Sequence, residues 1–158
     1  MKFRARVLLL TALSALAFQP LVVRAELLEI SDMFVFGDSL SAGGNSGLIT
    51  QAAAGVTFPP SPYAGGRYSN GPTTVEHLWN LYNTDGGLHP SLAGGTNFAV
   101  GGATAGTGNF NEFNDVVPPE LRPAYADFGA AWQLEQFQAY AAANSFDPST
   151  SLFVVWLF

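Results

Sequence analysis

Apolar positions along this chain fall into short unbroken runs and longer periodic stretches, separated by glycine- and proline-rich segments. Met33, Phe34, Val35 and Phe36 form one such run, the pattern of a strand buried on both faces as in a parallel sheet. The run ends at Gly37-Asp38-Ser39. Glycines at 43, 44 and 47 leave the next segment open to either a helix or a long loop. Residues 56–71 predict a loop broken by Pro59, Pro60, Pro62, Gly65 and Gly66. A helix is expected from Pro72, with Asn70 or Gly71 as its cap. Val75, Leu78, Trp79 and Tyr82 give it one apolar stripe, and Gly86-Gly87 ends it.

The second half continues the alternation. Residues 96–100 predict a short strand that runs into Gly101-Gly102, and residues 106–123 predict a polar loop. A helix is expected over 127–144, its apolar side made of Trp132, Leu134, Phe137, Tyr140 and Ala141. Asp147-Pro148 reads as a turn, and residues 152–158 as a third buried strand. Strands alternating with helices imply an α/β fold with a mostly parallel sheet. In such sheets functional groups gather beyond the carboxyl ends of the strands, where Ser39 and the Gly101-Gly102 pair both lie. There is no internal repeat.

The first 25 residues stand apart. Lys2, Arg4 and Arg6 precede an apolar stretch over 7–18, and Val23-Arg24-Ala25 places small residues at both positions read by a signal peptidase. The expected organisation is a signal peptide over 1–25, cleaved near Ala25, and one domain over 26–158. Export to a secreted, periplasmic or extracellular location follows. No other segment is long and apolar enough for a transmembrane helix. Cleavage removes four of the six basic residues and shifts the net charge from −6 to −10. A lysine-free acidic domain has little with which to neutralise phosphates, which excludes nucleic acid as a partner. The absence of cysteine excludes disulfides, thiolate metal sites and a cysteine nucleophile.

Ser39 carries the chemistry. A strand that ends in a glycine-rich turn exposes a hydroxyl and offers free backbone N–H groups to a developing oxyanion. The same serine reads equally as a helix cap. Gly37-Asp38-Ser39-Leu40-Ser41 is not the Gly-x-Ser-x-Gly elbow, because Ser41 stands in place of its last glycine. It is not a phosphate loop, and Gly101-Gly102 does not open a dinucleotide fingerprint.

Phe36-Gly37-Asp38-Ser39-Leu40-Ser41 resembles the first signature block of the GDSL, or SGNH, lipase/esterase family. Gly43-Gly44-Asn45 is similar to the continuation of that block. Gly66-Arg67-Tyr68-Ser69-Asn70-Gly71 resembles the family's Gly-Arg-Phe-Ser-Asn-Gly segment, and Asn97-Phe98-Ala99-Val100-Gly101-Gly102-Ala103 its second block. Order and spacing agree over residues 32–158. The resemblance implies a three-layer SGNH-hydrolase (flavodoxin-like) fold, here truncated after about the third strand, and hydrolysis of small-molecule or lipid esters without metal or cofactor. It implies that Ser39 is the catalytic nucleophile, and that the N–H groups of Ser39 and Gly102 form the oxyanion hole. Gly101 replaces Gly102 if the register slips by one. At Gly102 a side chain is expected to obstruct the substrate carbonyl. The family's third donor, an asparagine after the third strand, and its Asp-x-x-His block are not matched within the 158 residues. The polypeptide as written is therefore expected to be inactive. The alternative is a non-catalytic secreted binding domain on the same fold.

The remaining candidates read mainly as structural. His77 lies on the flank of its helix stripe, and His89 precedes Pro90 in a loop; neither is expected to act as the base. Asp38 adjoins Ser39 but points to the other side of an extended strand end, which favours a local hydrogen bond. Arg67 reads as a donor within the glycine-rich loop, or as a clamp for an acidic substrate. Phe110, Phe113, Tyr125 and Phe128 either line an acyl pocket or pack.

Overall fold

A computed structural model describes residues 29–83 and 86–157. The expected signal peptide and Phe158 lie outside the described residues. The chain forms strand β1 (Asp32–Gly37), helices α1 (Asn45–Ala54), α2 (Thr74–Tyr82) and α3 (Ala130–Ala143), and strand β2 (Ser151–Trp156). No helix among the described residues is long and apolar enough to cross a membrane.

β1 and β2 pair in parallel, with Asp32 opposite Ser151 and Gly37 opposite Trp156. Residues 96–100 run along the other side of β1, so β1 is central, as its continuous apolar sequence requires. The expected second strand is only partly realised. Val35 N–H donates to the Thr96 carbonyl (3.0 Å), while Phe98 N–H (2.7 Å) and Val100 N–H (3.1 Å) donate to Val35 and Gly37. The next ladder bond is absent because Gly37 N–H is taken by the side chain of Gln133 (2.8 Å).

Alternate residues of β1 feed two layers. Met33 and Val35 pack with Val75 and Trp79 of α2, with Leu88 and Ala99 completing that core. Phe34 and Phe36 face α3, where Phe98, Phe137, Tyr140 and Phe146 join them. Phe34 sits 4.8–5.6 Å from four other rings. Rings at such separations add about 0.5–1.5 kcal/mol per pair beyond their burial. The α/β fold with a parallel sheet between helical layers is the expected one.

One open alternative is resolved and two expectations are corrected. The segment left open after Ser39 is a helix, α1. The cap of α2 is Thr73 rather than Asn70 or Gly71, since Thr73 and Glu76 form a reciprocal capping box that places Pro72 before the helix. In α3 the apolar side excludes Leu134, which is 53% exposed, and the fully buried position is Gln133. A polar residue is tolerated there because both ends of its amide are bonded to Gly37.

Candidate active site

The site begins where β1 ends. Asp38 N–H donates to the Trp156 carbonyl (3.2 Å), so the parallel ladder extends one residue past the strand. The chain then folds into a tight turn. Asp38 Oδ1 accepts from Leu40 N–H (2.9 Å), and the Asp38 carbonyl accepts from the N–H groups of Ser41 (3.2 Å) and Ala42 (3.0 Å). This is an Asx turn, the local role expected of Asp38. Ser39 sits at its apex, half-exposed. Neither its hydroxyl nor its N–H makes a hydrogen bond among the described residues. It does not cap α1, whose N-cap is Gly44. The capping alternative is thereby removed.

Two buried amides lock this turn to its neighbour. Asn97 Nδ2 donates to the Ser41 carbonyl (2.9 Å). Asn45 Nδ2 donates to the carbonyls of Asn97 (2.9 Å) and Ala99 (3.0 Å). Because Val100 bonds to Gly37, residues 101–102 emerge beside the Ser39 turn at the same end of the sheet.

The Gly101-Gly102 turn is held from behind. Gly101 N–H donates to Ser46 Oγ (2.9 Å). The Gly101 carbonyl accepts from Asn109 Nδ2 (3.0 Å) and Asn111 Nδ2 (2.8 Å). The Gly102 carbonyl accepts from Phe110 N–H (2.6 Å). Gly101 thus has its N–H engaged, whereas Gly102 N–H has no partner among the described residues. Of the two glycines, only Gly102 keeps an N–H to offer. The need for glycine at 102 has a ground other than substrate access. Its φ is +79°, and an added Cβ would fall 2.5 Å from Asn109 Oδ1. At Gly101 an added Cβ would collide with the Tyr68 ring.

Tyr68 connects this turn to the glycine-rich loop. Its hydroxyl accepts from Asn111 Nδ2 (2.8 Å). Tyr125, fully buried, brings its hydroxyl beside those of Tyr68 and Ser46 without completing a hydrogen bond to either. Burial raises both tyrosines above the ordinary phenol range, Tyr125 far more than Tyr68. Both remain neutral hydroxyls at any pH near 7.

The other candidates fall away from the turn. Arg67 grips Glu76 with Nε (2.9 Å) and Nη2 (2.7 Å), which makes it a structural partner of α2. Burial raises the Glu76 carboxyl, but the hydrogen bonds from Arg67 and Thr73 outweigh it and hold the group below its ordinary value. His77 and His89 are both exposed, and neither ring bonds to Ser39. Tyr125 is core, Phe128 packs on Trp132 at 4.8 Å, and Phe110 and Phe113 are exposed. Among the described residues no three His, Asp or Glu side chains converge as a metal set.

The buried amides Asn45, Asn97, Asn109, Asn111 and Gln133 were missed as site-building residues. Asn45 and Asn97 lie inside the signature blocks, and their adjacency to glycine turns was the available signal. Asn109 carries a local signal as the cap of an Asn-x-x-Glu box with Glu112, but its bond to Gly101, like those of Asn111 to Gly101 and of Gln133 to Gly37, spans 8 to 96 residues and has none.

The GDSL-like Lipase/Acylhydrolase family model matches residues 33–157, from the start of β1 through the end of β2. No individual curated protein matches the chain. With the match spanning the Ser39 turn, the Gly101-Gly102 turn and the amides that hold them, the chain belongs to the GDSL-like Lipase/Acylhydrolase family.

Proposed function

We propose that this chain carries the acyl-transfer half of a serine hydrolase acting on carboxylic esters. Ser39 Oγ attacks the ester carbonyl carbon, its proton passing through a base or water to the oxygen of the departing alcohol, and the carbonyl oxygen becomes an oxyanion between the N–H groups of Ser39 and Gly102. The tetrahedral intermediate collapses with loss of the alcohol, leaving an acyl group on Ser39. Water then attacks that acyl group and releases the acid. The observation that carries this reading is the pairing, at one end of the sheet, of a Ser39 hydroxyl and N–H with a Gly102 N–H, none of which is hydrogen-bonded among the described residues.

The base is not His77 or His89, and the chain has no third histidine. Lacking a base costs a serine hydrolase about 10⁶ in turnover, while oxyanion and binding effects leave about 10³–10⁴ over water. We therefore place turnover by these residues alone at that residual level. A second reading keeps the same turns and fold without the reaction, as a non-catalytic binding domain. Export with cleavage after Ala25 belongs to both readings, and N-terminal sequencing of the exported protein tests it.

External imidazole separates the two readings. Hydrolysis of p-nitrophenyl acetate by the purified protein is expected to be negligible alone and to rise with added imidazole. The rise above the protein-free imidazole rate should vanish in Ser39→Ala. An imidazole-dependent rate equal in wild type and Ser39→Ala would overturn the catalytic reading.

A further inference from the structure

Each N–H group used by the proposed reaction shares a peptide plane with a carbonyl. The plane of Ser39 N–H carries the Asp38 carbonyl, which accepts from Ser41 N–H (3.2 Å) and Ala42 N–H (3.0 Å). The plane of Gly102 N–H carries the Gly101 carbonyl, which accepts from Asn109 Nδ2 (3.0 Å) and Asn111 Nδ2 (2.8 Å). A carbonyl oxygen has two lone pairs, so both planes are held at full acceptor capacity. Both peptides are trans, so each N–H points away from its bound carbonyl. The backbone of the Ser39 turn holds the first plane. Two buried side chains hold the second.

We infer that Asn109 and Asn111 are positioning residues for the reaction, aiming and strengthening Gly102 N–H as an oxyanion donor through the Gly101 carbonyl. The inference rests on the proposed function. A glycine has no side chain to fix its torsions, so the direction of Gly102 N–H is set by what binds the planes around it. The plane after Gly102 is bound as well, since its carbonyl accepts from Phe110 N–H (2.6 Å). Residues 109–111 thus hold the planes on both sides of the Gly102 Cα. They also press against it: an added Cβ would lie 2.5 Å from Asn109 Oδ1 and 2.9 Å from Asn111 Nδ2. Hydrogen bonds to a carbonyl polarise the N–H of the same peptide, by ~10–30% per bond.

The two amides are themselves fixed. Asn109 gives its other N–H to the Phe128 carbonyl (3.1 Å), so a flipped amide would set its oxygen against two carbonyls. Asn109 Oδ1 accepts from Asn111 N–H (2.9 Å), and Asn109 N–H donates to Glu112 Oε1 (3.1 Å). Asn111 gives its other N–H to the Tyr68 hydroxyl (2.8 Å). The clamp is therefore complete before any substrate arrives.

The test removes the Asn111 donors, because Asn109 also caps its own short helix. Asn111→Leu does so at similar volume and Asn111→Ala at smaller volume, and either folded variant serves. In amide NMR spectra of the free protein, the Gly102 resonance should move and the Ser39 resonance should stay. In imidazole-supported hydrolysis of p-nitrophenyl acetate, the Ser39-dependent kcat should fall about tenfold or more, with KM within about twofold of wild type. A merely structural tether would lower the melting temperature and leave the kcat of the folded variant unchanged. An unmoved Gly102 resonance, an unchanged kcat, or a loss confined to KM would overturn the inference. Failure of the proposed function would appear instead as a rate equal in wild type and Ser39→Ala, whatever residue stands at 111.

Discussion

Gln133 binds the backbone of Gly37 at both of its polar groups. Gly37 N–H donates to Gln133 Oε1 at 2.8 Å, and Gln133 Nε2 donates to the Gly37 carbonyl at 2.9 Å. The two residues are 96 apart in sequence, and Gln133 is fully buried. A side-chain amide thus stands where a neighbouring strand would otherwise complete the ladder, two residues before Ser39. It ties α3 to the end of β1.

Replacing Gln133 with Leu should therefore destabilise the fold by about 2–4 kcal/mol, because two buried hydrogen bonds are lost and Gly37 N–H is left without a partner. Gln133→Glu should also destabilise, since a carboxylate cannot donate to the Gly37 carbonyl. Chemical denaturation of both variants checks this. A change below about 0.5 kcal/mol would show that the tether is dispensable.

The ion pair between Arg67 and Glu76 sets an acid limit on stability. The Glu76 carboxyl is held below its ordinary value near 4.5. A group with a depressed folded-state value contributes its full stability above the unfolded value and loses it as pH falls through the folded one. The melting temperature should therefore decline below about pH 4.5, and Glu76→Gln should flatten that decline. At pH 7 Glu76→Gln should cost about 1–3 kcal/mol. This is below the ~3–5 of a fully buried broken pair, because the Arg67 side chain is 24% exposed. Thermal melts across pH 3–7 give both numbers.

The glycine at 102 is required by backbone and by crowding together. Gly102→Ala should destabilise by about 1–3 kcal/mol through its positive φ and the clash with Asn109 and Asn111. Gly71→Ala, at a position where an added Cβ meets nothing within 4 Å, should change stability by less than about 0.5 kcal/mol. Denaturation midpoints of the two variants give the comparison.

The Tyr125 hydroxyl is buried without a hydrogen bond among the described residues. Tyr125→Phe removes an unsatisfied polar atom and keeps the ring, so stability should stay within about 0.5 kcal/mol or rise. A loss above about 1 kcal/mol would mean that the hydroxyl has a partner, such as a bound water shared with Tyr68 and Ser46.

Much of this architecture is legible in the sequence because its signals are local. The apolar run at residues 33–36, the stripe of Val75 and Trp79, and the glycine pair at 101–102 each declare themselves within a few residues. The order of the signature blocks names the turn that carries Ser39. The amide scaffold behind that turn is not legible in this way. Leu134 looks like core and Gln133 like surface until the Gly37 backbone is brought to within 3 Å of Gln133. The same holds for Tyr68, whose place against Gly101 depends on a loop more than thirty residues earlier in the chain. The cap of α2 differs from the expected one for another reason. Asn70 and Gly71 are good caps in isolation, but Thr73 with Glu76 satisfies two orphan N–H groups where one residue satisfies one.

The central claim is that Ser39 is an accessible nucleophile beside preformed oxyanion donors. Treatment with an alkyl fluorophosphonate in the presence of imidazole, followed by peptide mapping in a mass spectrometer, tests it most directly. The account predicts one adduct per chain, on Ser39, formed more slowly in Gly102→Ala. No adduct on Ser39, or adducts spread over other serines at equal rates, would contradict it.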